Sequence, residues 1–383
     1  MHHQNELILV FVYFHLYITD SCNLVCQYCR GKIFDTPETD CGEIAIDESI
    51  PAEVTFHLPD LYRFLGDDPD AVLTFIGGEP TLRPGLIQTI MEEAPVSRFM
   101  IQTNGTLLHR LSPEIVNRFD TILISIDGDK KTTDEGRGEG TYDRVMENIH
   151  HIIAGGFRNE LIARMTVTER TDIRSAVRYL AHNPHYSFSS IHWQIDANFW
   201  NDYSLRTFQT WARDSYIPGI HQLVQDWLSR IKETGEVPKW YPFIDPLEDL
   251  LHGRPSRLRC GSGYANYTIL TDGHIAPCPI MVGMKDFYAG TITTASPNAL
   301  PIIPVTGACE TCEIRDFCGG RCLYSAIVKP WPKEGADLVC ETVRGLYDAI
   351  TGIVPVIREM ISRGEISIGA FAHEKYNGCE IIP

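Results

Sequence analysis

Six apolar runs, residues 7–18, 71–76, 98–103, 121–126, 161–167 and 190–195, recur down the first half of the chain, separated by turns and by segments of helical periodicity. The helical stretches fall at 51–65, 84–93, 113–119, 142–154 and 172–182, several with proline or an acidic residue near the start, which suits a first turn. Strand–turn–helix repetition implies an α/β fold with a mostly parallel sheet, and six strands fit a partial barrel. Sheets of this kind seat ligands in the loops beyond the C-terminal ends of their strands. Residues 204–233 read as a helix bridging to a second region, with a boundary at 236–242, and 341–363 as a closing helix that Pro355 would kink.

The loop after the first run contains Cys22, Cys26 and Cys29, with Tyr28 directly before the last. Thiolates separated by three and two residues can wrap one loop around a 4Fe-4S cluster. Electron-transfer clusters take four cysteines, so one iron here is left without a protein ligand. A zinc knuckle is the competing account, and the lack of a nearby fourth ligand counts against it. The motif resembles that of the radical SAM superfamily, and further segments match in the same order along the chain. Gly77-Gly78-Glu79-Pro80 ends the second run; the resemblance implies that its backbone and Glu79 contact the ammonium of S-adenosylmethionine, glycine permitting the close approach. Asn104, after the third run, and Ser125 and Asp127, at the end of the fourth, would lie beside the ribose and methionine moieties. Arg137 resembles the arginine that pairs with the methionine carboxylate, a role suited to a bidentate guanidinium; Arg164 competes for it, and a solvated loop is the plain alternative. The resemblance further implies that the cluster binds S-adenosylmethionine on its open iron and passes it an electron, giving methionine and a 5'-deoxyadenosyl radical.

Seven more cysteines lie between residues 260 and 340, as Cys260, Cys278, Cys309-x2-Cys312, Cys318-x3-Cys322 and Cys340. This spacing resembles the SPASM extension of radical SAM enzymes, which binds two auxiliary 4Fe-4S clusters. By that pattern Cys309, Cys312, Cys318 and Cys340 ligate the outer cluster, and Cys260, Cys278 and Cys322 the inner one. Relatives with a full inner set carry a further cysteine soon after the first; residues 261–267 contain none, which would leave an inner iron open to a substrate thiolate, a serine, a histidine or water. Zinc is again the alternative, since Cys-x2-Cys pairs are common in zinc ribbons. Sulfatase-maturing members carry aspartate directly after the cysteine matching Cys278, where this chain has Pro279, so formylglycine formation is disfavoured.

The chain has 383 residues, of which 44% are hydrophobic and 22% charged, enough for one large and one smaller domain. The run 7–18 is interrupted by His15, lacks a basic lead-in and is too short to span a bilayer. With no secretory signal, twelve cysteines in clustered spacing favour metal sites in a reducing, cytoplasmic setting over disulfides. A formal charge of −17 weighs against nucleic acid as substrate. Cys41 and Cys379 read as spare thiols, His150 and His151 as surface or packing residues, and Asp245, Glu248 and Asp249 as a solvated turn. Trp193, Gln194 and Asp196 end the sixth run facing partly into the barrel, Gln194 and Asp196 being candidates for substrate contact.

Together these readings describe a partial (β/α)6 radical SAM barrel over residues 1–235, followed over 236–383 by a small cysteine-rich SPASM domain with a C-terminal helix. The resemblance implies an oxidoreductase that modifies a peptide or protein side chain, with a cysteine-to-carbon crosslink as first hypothesis and a ferredoxin or flavodoxin as reductant. No membrane partner is expected. Many peptide maturases begin with a leader-binding domain, whereas the first strand here starts near residue 7. The alternatives are a small-molecule or tetrapyrrole-modifying radical SAM enzyme and, outside enzymes, a non-catalytic iron–sulfur or zinc-binding module.

Overall fold

The computed structural model describes residues 12–29, 46–196 and 203–376; Cys41 and Cys379 fall outside them. The expected runs form β1 (Tyr13–Tyr17), β2 (Val72–Ile76), β3 (Arg98–Thr103), β4 (Thr121–Ser125), β5 (Glu160–Val167) and β6 (Ser190–Ile195), all paired in parallel. Three short strands extend the sheet. β7 (Lys239–Trp240) adds to β6, while β8 (Asn266–Ile269), with the antiparallel β9 (Ile275–Ala276), adds to β1. The order is β7-β6-β5-β4-β3-β2-β1-β8-β9. The sheet thus continues across 236–242, part of which is a strand.

Both faces of this sheet are buried, which explains why its strands read as apolar runs. Phe14, Leu16, Phe75, Phe99, Ile124, Met165 and Trp193 pack into the main core, whereas Tyr13, Val72, Met100, Leu123 and Ile162 form a separate cluster with Tyr241. In a flat sheet β1 and β5, four strand spacings apart, would lie about 19 Å from each other. The charge of Arg164 on β5 nevertheless acts on His15 of β1. The sheet therefore curls, and its second face lines a lumen. Residues 371–376 close that lumen beneath the strands: Tyr13 donates to Glu374, Arg98 pairs with Glu374 at 2.7 Å, and the Tyr13 and Tyr376 rings meet edge-on at 5.6 Å.

The intervening helices are α1 (Leu58–Gly66), α2 (Pro84–Glu93), α3 (Pro113–Val116), α4 (Lys130–Arg137), α5 (Thr141–Ala154) and α6 (Ile173–Ala181). α1 starts later than expected because Glu53 bridges to Thr19 and proline occupies the first turn at Pro59. α4 stands where a loop was expected, capped by Asp129, which accepts from the Thr132 N–H at 2.8 Å. α7 (Phe208–Trp211) and α8 (Ile217–Thr234) supply the bridge over 204–233. α9 (Tyr241–His252) replaces the solvated turn expected at Asp245, Glu248 and Asp249. Pro242 opens it, and the three carboxylates face cations: Arg259 lies 2.6 Å from Asp245, Lys375 2.7 Å from Asp249, and Arg254 3.2 Å from Glu248.

After α10 (Arg315–Cys318) and α11 (Leu323–Val328), α12 (Lys333–Ser362) begins before the expected residue 341 and runs on through Pro355. An interior proline costs about 3 kcal/mol or more. The buried stripe that includes Leu346, Ile350, Ile353 and Ile357 offsets this, since each such side chain stabilises by roughly 1.5–3 kcal/mol when removed from water. No helix among the described residues is long and apolar enough to cross a membrane.

Candidate functional site

The chain leaves β1 at Tyr17 and turns through Thr19–Ser21 into the three-cysteine loop. Two backbone hydrogen bonds tie that entry to the end of β2: Gly78 N–H donates to Thr19 at 2.7 Å and Glu79 N–H to Ser21 at 2.8 Å. A Cβ on Gly77, where φ is +153°, would lie 2.3 Å from the Thr19 oxygen, and one on Gly78 2.4 Å from the oxygens of Asp20 and Ser21. The family resemblance implies that these glycines border a ligand's ammonium. Here their missing side chains admit the backbone that leads into Cys22.

Glu79 is fully buried. Its carboxylate accepts from the Thr81 N–H at 3.0 Å and the Thr81 hydroxyl, from the Thr103 hydroxyl at 2.7 Å and from the Asn104 N–H at 2.7 Å. These donors are all neutral. Burial raises its pKa, the hydrogen bonds opposing, so a cation would complete the site. Asn104 braces the loop, its amide donating to Asn23 at 2.9 Å and lying 3.8 Å from the Cys22 sulfur. Ser125 sits half-buried at the end of β4, opposite Arg164.

On the loop's other flank, the Tyr28 hydroxyl donates to Asp127 at 2.5 Å. Arg137 grips the same carboxylate with Nε at 2.9 Å and Nη2 at 2.7 Å, and lies over the Tyr28 ring at 5.4 Å. Gln27 N–H donates to the Gly136 oxygen at 2.9 Å, and a Cβ on Gly136 would approach Tyr28 to 2.9 Å. The edge of Arg137 expected to hold a methionine carboxylate is therefore committed to Asp127, because a buried carboxylate needs a buried partner. Burial works against the charge of Arg137, but Asp127, with Tyr28 and Cys26 adding to it, outweighs burial and raises its pKa. Arg164, the competing candidate, donates to His192 and, at 2.7 Å, to Gln194 inside the lumen.

Cys22, Cys26 and Cys29 act on one another electrostatically, and burial pushes Cys26 up to about 11, with Arg137 opposing. A cationic cluster would be needed to hold such thiols as thiolates. The later cysteines fall into two groups. Cys278 has Cys322 and Cys260 as electrostatic neighbours, and all three are buried. Cys309 neighbours Cys340 and Cys312, and Cys318 neighbours Cys340, nearer the surface. Among the described residues, no three His, Cys, Asp or Glu side chains are drawn together tightly enough to hold a single metal ion.

A cleft of about 390 Å³ opens beside the loop, lined by Tyr28, Asp127, Thr166, Asp196 and Arg206 among others. A larger cavity, about 500 Å³, lies at the opposite ends of β5 and β6 near Glu160 and Ser190, away from every motif, so position rather than size selects the smaller one. Asp196 borders this cleft, paired with Arg206 at 3.1 Å. Trp193 points to the helices instead of the barrel, its indole donating to Tyr216 at 3.3 Å. His150, 2.9 Å from the His185 oxygen, is a surface contact. A polar layer that the apolar runs do not announce crosses the lumen: His15 meets Asn266 at 2.7 Å, facing Arg164 and His192. The alternation that placed Gln194 inward also places His192 inward, and would have revealed it.

Residues 16–175, the stretch that contains the loop and its braces, match the family model described as the Radical SAM superfamily. This stretch is thus similar to a radical SAM domain, a kind of domain that implies S-adenosylmethionine and a 4Fe-4S cluster. Among curated proteins it is similar to mycofactocin maturase MftC of Mycobacterium tuberculosis, 24% identical over 345 residues that cover 84% of this chain and 81% of that protein. Among solved structures it shares its fold with native anSMEcpe bound to AdoMet and the Cp18Cys peptide, at a TM-score of 0.65 and 17% identity over 91% of this chain and 99% of that one. Streptococcus suis SuiB bound to its precursor peptide SuiA matches at a TM-score of 0.51 and 16% identity, over 82% and 72% of the two chains.

Proposed function

We propose that this enzyme modifies a side chain of a peptide or protein, using two auxiliary 4Fe-4S clusters besides the one at the loop, and that the product is a cysteine-to-carbon crosslink. The observation that carries this reading is the sorting of the seven later cysteines into a buried trio and a shallower quartet. The substrate class follows the relatives, one named a maturase and two solved with peptides; these do not favour the small-molecule alternative.

Cys22, Cys26 and Cys29 would ligate the loop cluster, and Glu79, whose donors are all neutral, would seat the ammonium of S-adenosylmethionine. Gly77, Gly78 and Ser125 border that position. Tyr28, Asn104, Asp127 and Arg137 hold the loop in place around it. With one electron from the reductant, the bound cluster and S-adenosylmethionine would supply the chemistry for abstracting a carbon-bound hydrogen from the substrate. The quartet Cys309, Cys312, Cys318 and Cys340 would hold the outer cluster, and Cys260, Cys278 and Cys322 the inner one. Ser262, whose hydroxyl lies 3.1 Å from the Cys260 sulfur, would be the serine candidate for an inner iron that these three cysteines leave open, with a substrate thiol as its competitor. The barrel would occupy 1–235 and the cluster domain 236–383, and a cytoplasmic ferredoxin or flavodoxin would be the reductant.

The test is anaerobic reconstitution with iron and sulfide counting, a dithionite-driven assay for 5'-deoxyadenosine, and a Cys26→Ala control. About twelve irons, the content of three such clusters, with cleavage lost in the control, is the expected result. One cluster accompanied by stoichiometric zinc would remove the auxiliary clusters and the crosslink with them.

A further inference from the structure

Between Cys318 and Cys322 the backbone takes three consecutive positive φ angles: Gly319 at +70°, Gly320 at +94° and Arg321 at +61°. The glycines have steric reasons. A Cβ on Gly319 would lie 1.6 Å from the Arg257 oxygen, and one on Gly320 2.9 Å from Val305. Arg321 has no such excuse, since a side chain in this region is disfavoured and persists where its surroundings enforce it.

The conformation aims the guanidinium at the cysteine quartet. Arg321 Nη1 donates to the Cys340 sulfur at 3.6 Å, and the group lies 5.4 Å from the Trp331 ring. Its Nε–H is buried without an acceptor among the described residues. Three other arginines near the quartet are engaged elsewhere, Arg344 with Glu313, Arg315 with the Glu310 oxygen at 3.0 Å and Arg259, which also acts on Cys318, with Asp245 at 2.6 Å. Arg321 also acts electrostatically on Cys309 and Cys318, so its charge bears on three of the four thiols.

We propose that Arg321 raises the reduction potential of the cluster held by Cys309, Cys312, Cys318 and Cys340, through its hydrogen bond to the Cys340 sulfur and its half-buried charge. This rests on the outer-cluster reading given above. Hydrogen bonds to sulfur, net charge and solvent exposure set such potentials. Reduction adds one negative charge, which a fixed cation beside a ligand sulfur stabilises. Arg321 is thus a positioning and tuning residue that does not touch the substrate.

The experiment is an EPR-monitored redox titration of the reconstituted full chain, comparing wild type with Arg321→Gln and Arg321→Lys, with iron counted in each. Cys312→Ala identifies the outer cluster's signal by its loss. Arg321→Gln is expected to keep its iron and to disfavour reduction of that cluster at least tenfold, a fall of about 59 mV for a one-electron couple, leaving the other signals in place. Arg321→Lys, which keeps the charge but loses the fork and the stacking, should shift less in the same direction. Unchanged potentials with full iron would overturn the role of Arg321 while leaving the cluster intact. Should the Gln variant fail to load, the Lys variant decides, and an unshifted potential there overturns the proposal. Iron content that Cys312→Ala leaves unaltered would instead sink the outer-cluster reading, and this inference with it.

Discussion

Replacing Gly78 with alanine separates two explanations of the same motif. If Gly77-Gly78 exists to admit a ligand's ammonium, the methyl group should weaken S-adenosylmethionine binding and leave the cluster alone. The structure instead puts that methyl 2.4 Å from two backbone oxygens, those of Asp20 and Ser21. Ordinary contact would require a shift of roughly 1 Å, and backbone cannot yield by changing rotamer. Overpacking of this kind costs about 1–3 kcal/mol. That is too little to unfold a chain with so large a core, but the strain falls one residue before Cys22. Gly78→Ala is therefore expected to melt only slightly below wild type, to reconstitute with less iron at the N-terminal site, and to lose 5'-deoxyadenosine formation in proportion to that iron. Gly85→Ala is the internal control, because nothing lies within 4 Å of its Cβ position; alanine there should be neutral or stabilise α2 by up to about 1 kcal/mol. Full iron occupancy in Gly78→Ala, together with a raised dissociation constant for S-adenosylmethionine, would refute the packing account.

Three further outcomes are expected. Asp127→Asn leaves Arg137 buried without its counter-charge, a change that costs on the order of 3–5 kcal/mol, and should lower the urea midpoint and release Tyr28 from the cysteine loop, read as faster loss of the loop's iron to a chelator. His15 is pushed down from 6.5 to about 4, by burial first, with Arg164 adding to it and the Asn266 hydrogen bond opposing. Because its folded pKa is depressed, its contribution is complete above pH 6.5 and is lost as pH falls towards 4. It amounts to roughly 3 kcal/mol at most. Urea midpoints should accordingly fall less steeply between pH 6.5 and pH 4 in His15→Gln than in wild type, and parallel slopes would refute the assignment. Cys278→Ala and Cys318→Ala should each remove about four irons, from different EPR signals; loss of one common signal would mean that the trio and the quartet are a single site.

The strands were legible because a strand buried on both faces is written as an apolar run, and β3 and β6 match their expected bounds at both ends. What escaped has physical reasons. α4, Lys-Lys-Thr-Thr-Asp-Glu-Gly-Arg, buries only Thr133 and Arg137, so it carries no apolar periodicity, and its one signal is the cap at Asp129. β7 and β9 are two residues long, and α9 contains Pro246, which by local rules denies a helix. His15 read as an interruption of an apolar run, when it is a lumen-facing position whose partner, Asn266, lies 251 residues away in sequence.

At the site, cysteine spacing marks candidate ligands, because a loop that short can bring thiols together by itself. It could not reveal which polar residues would be used up on one another. Asp127 and Arg137 both belong to recognisable motifs, yet each is largely satisfied by the other, and Asn104 is taken by Asn23 and Thr106. Glu79 differs, since its donors are all neutral and its charge still requires a cation. Variants at Asp127, Arg137 and Asn104 should therefore impair turnover through loop geometry and iron retention. Among the acidic and basic motif residues, Glu79→Gln should stand apart, raising the dissociation constant for S-adenosylmethionine in a protein that keeps its loop cluster.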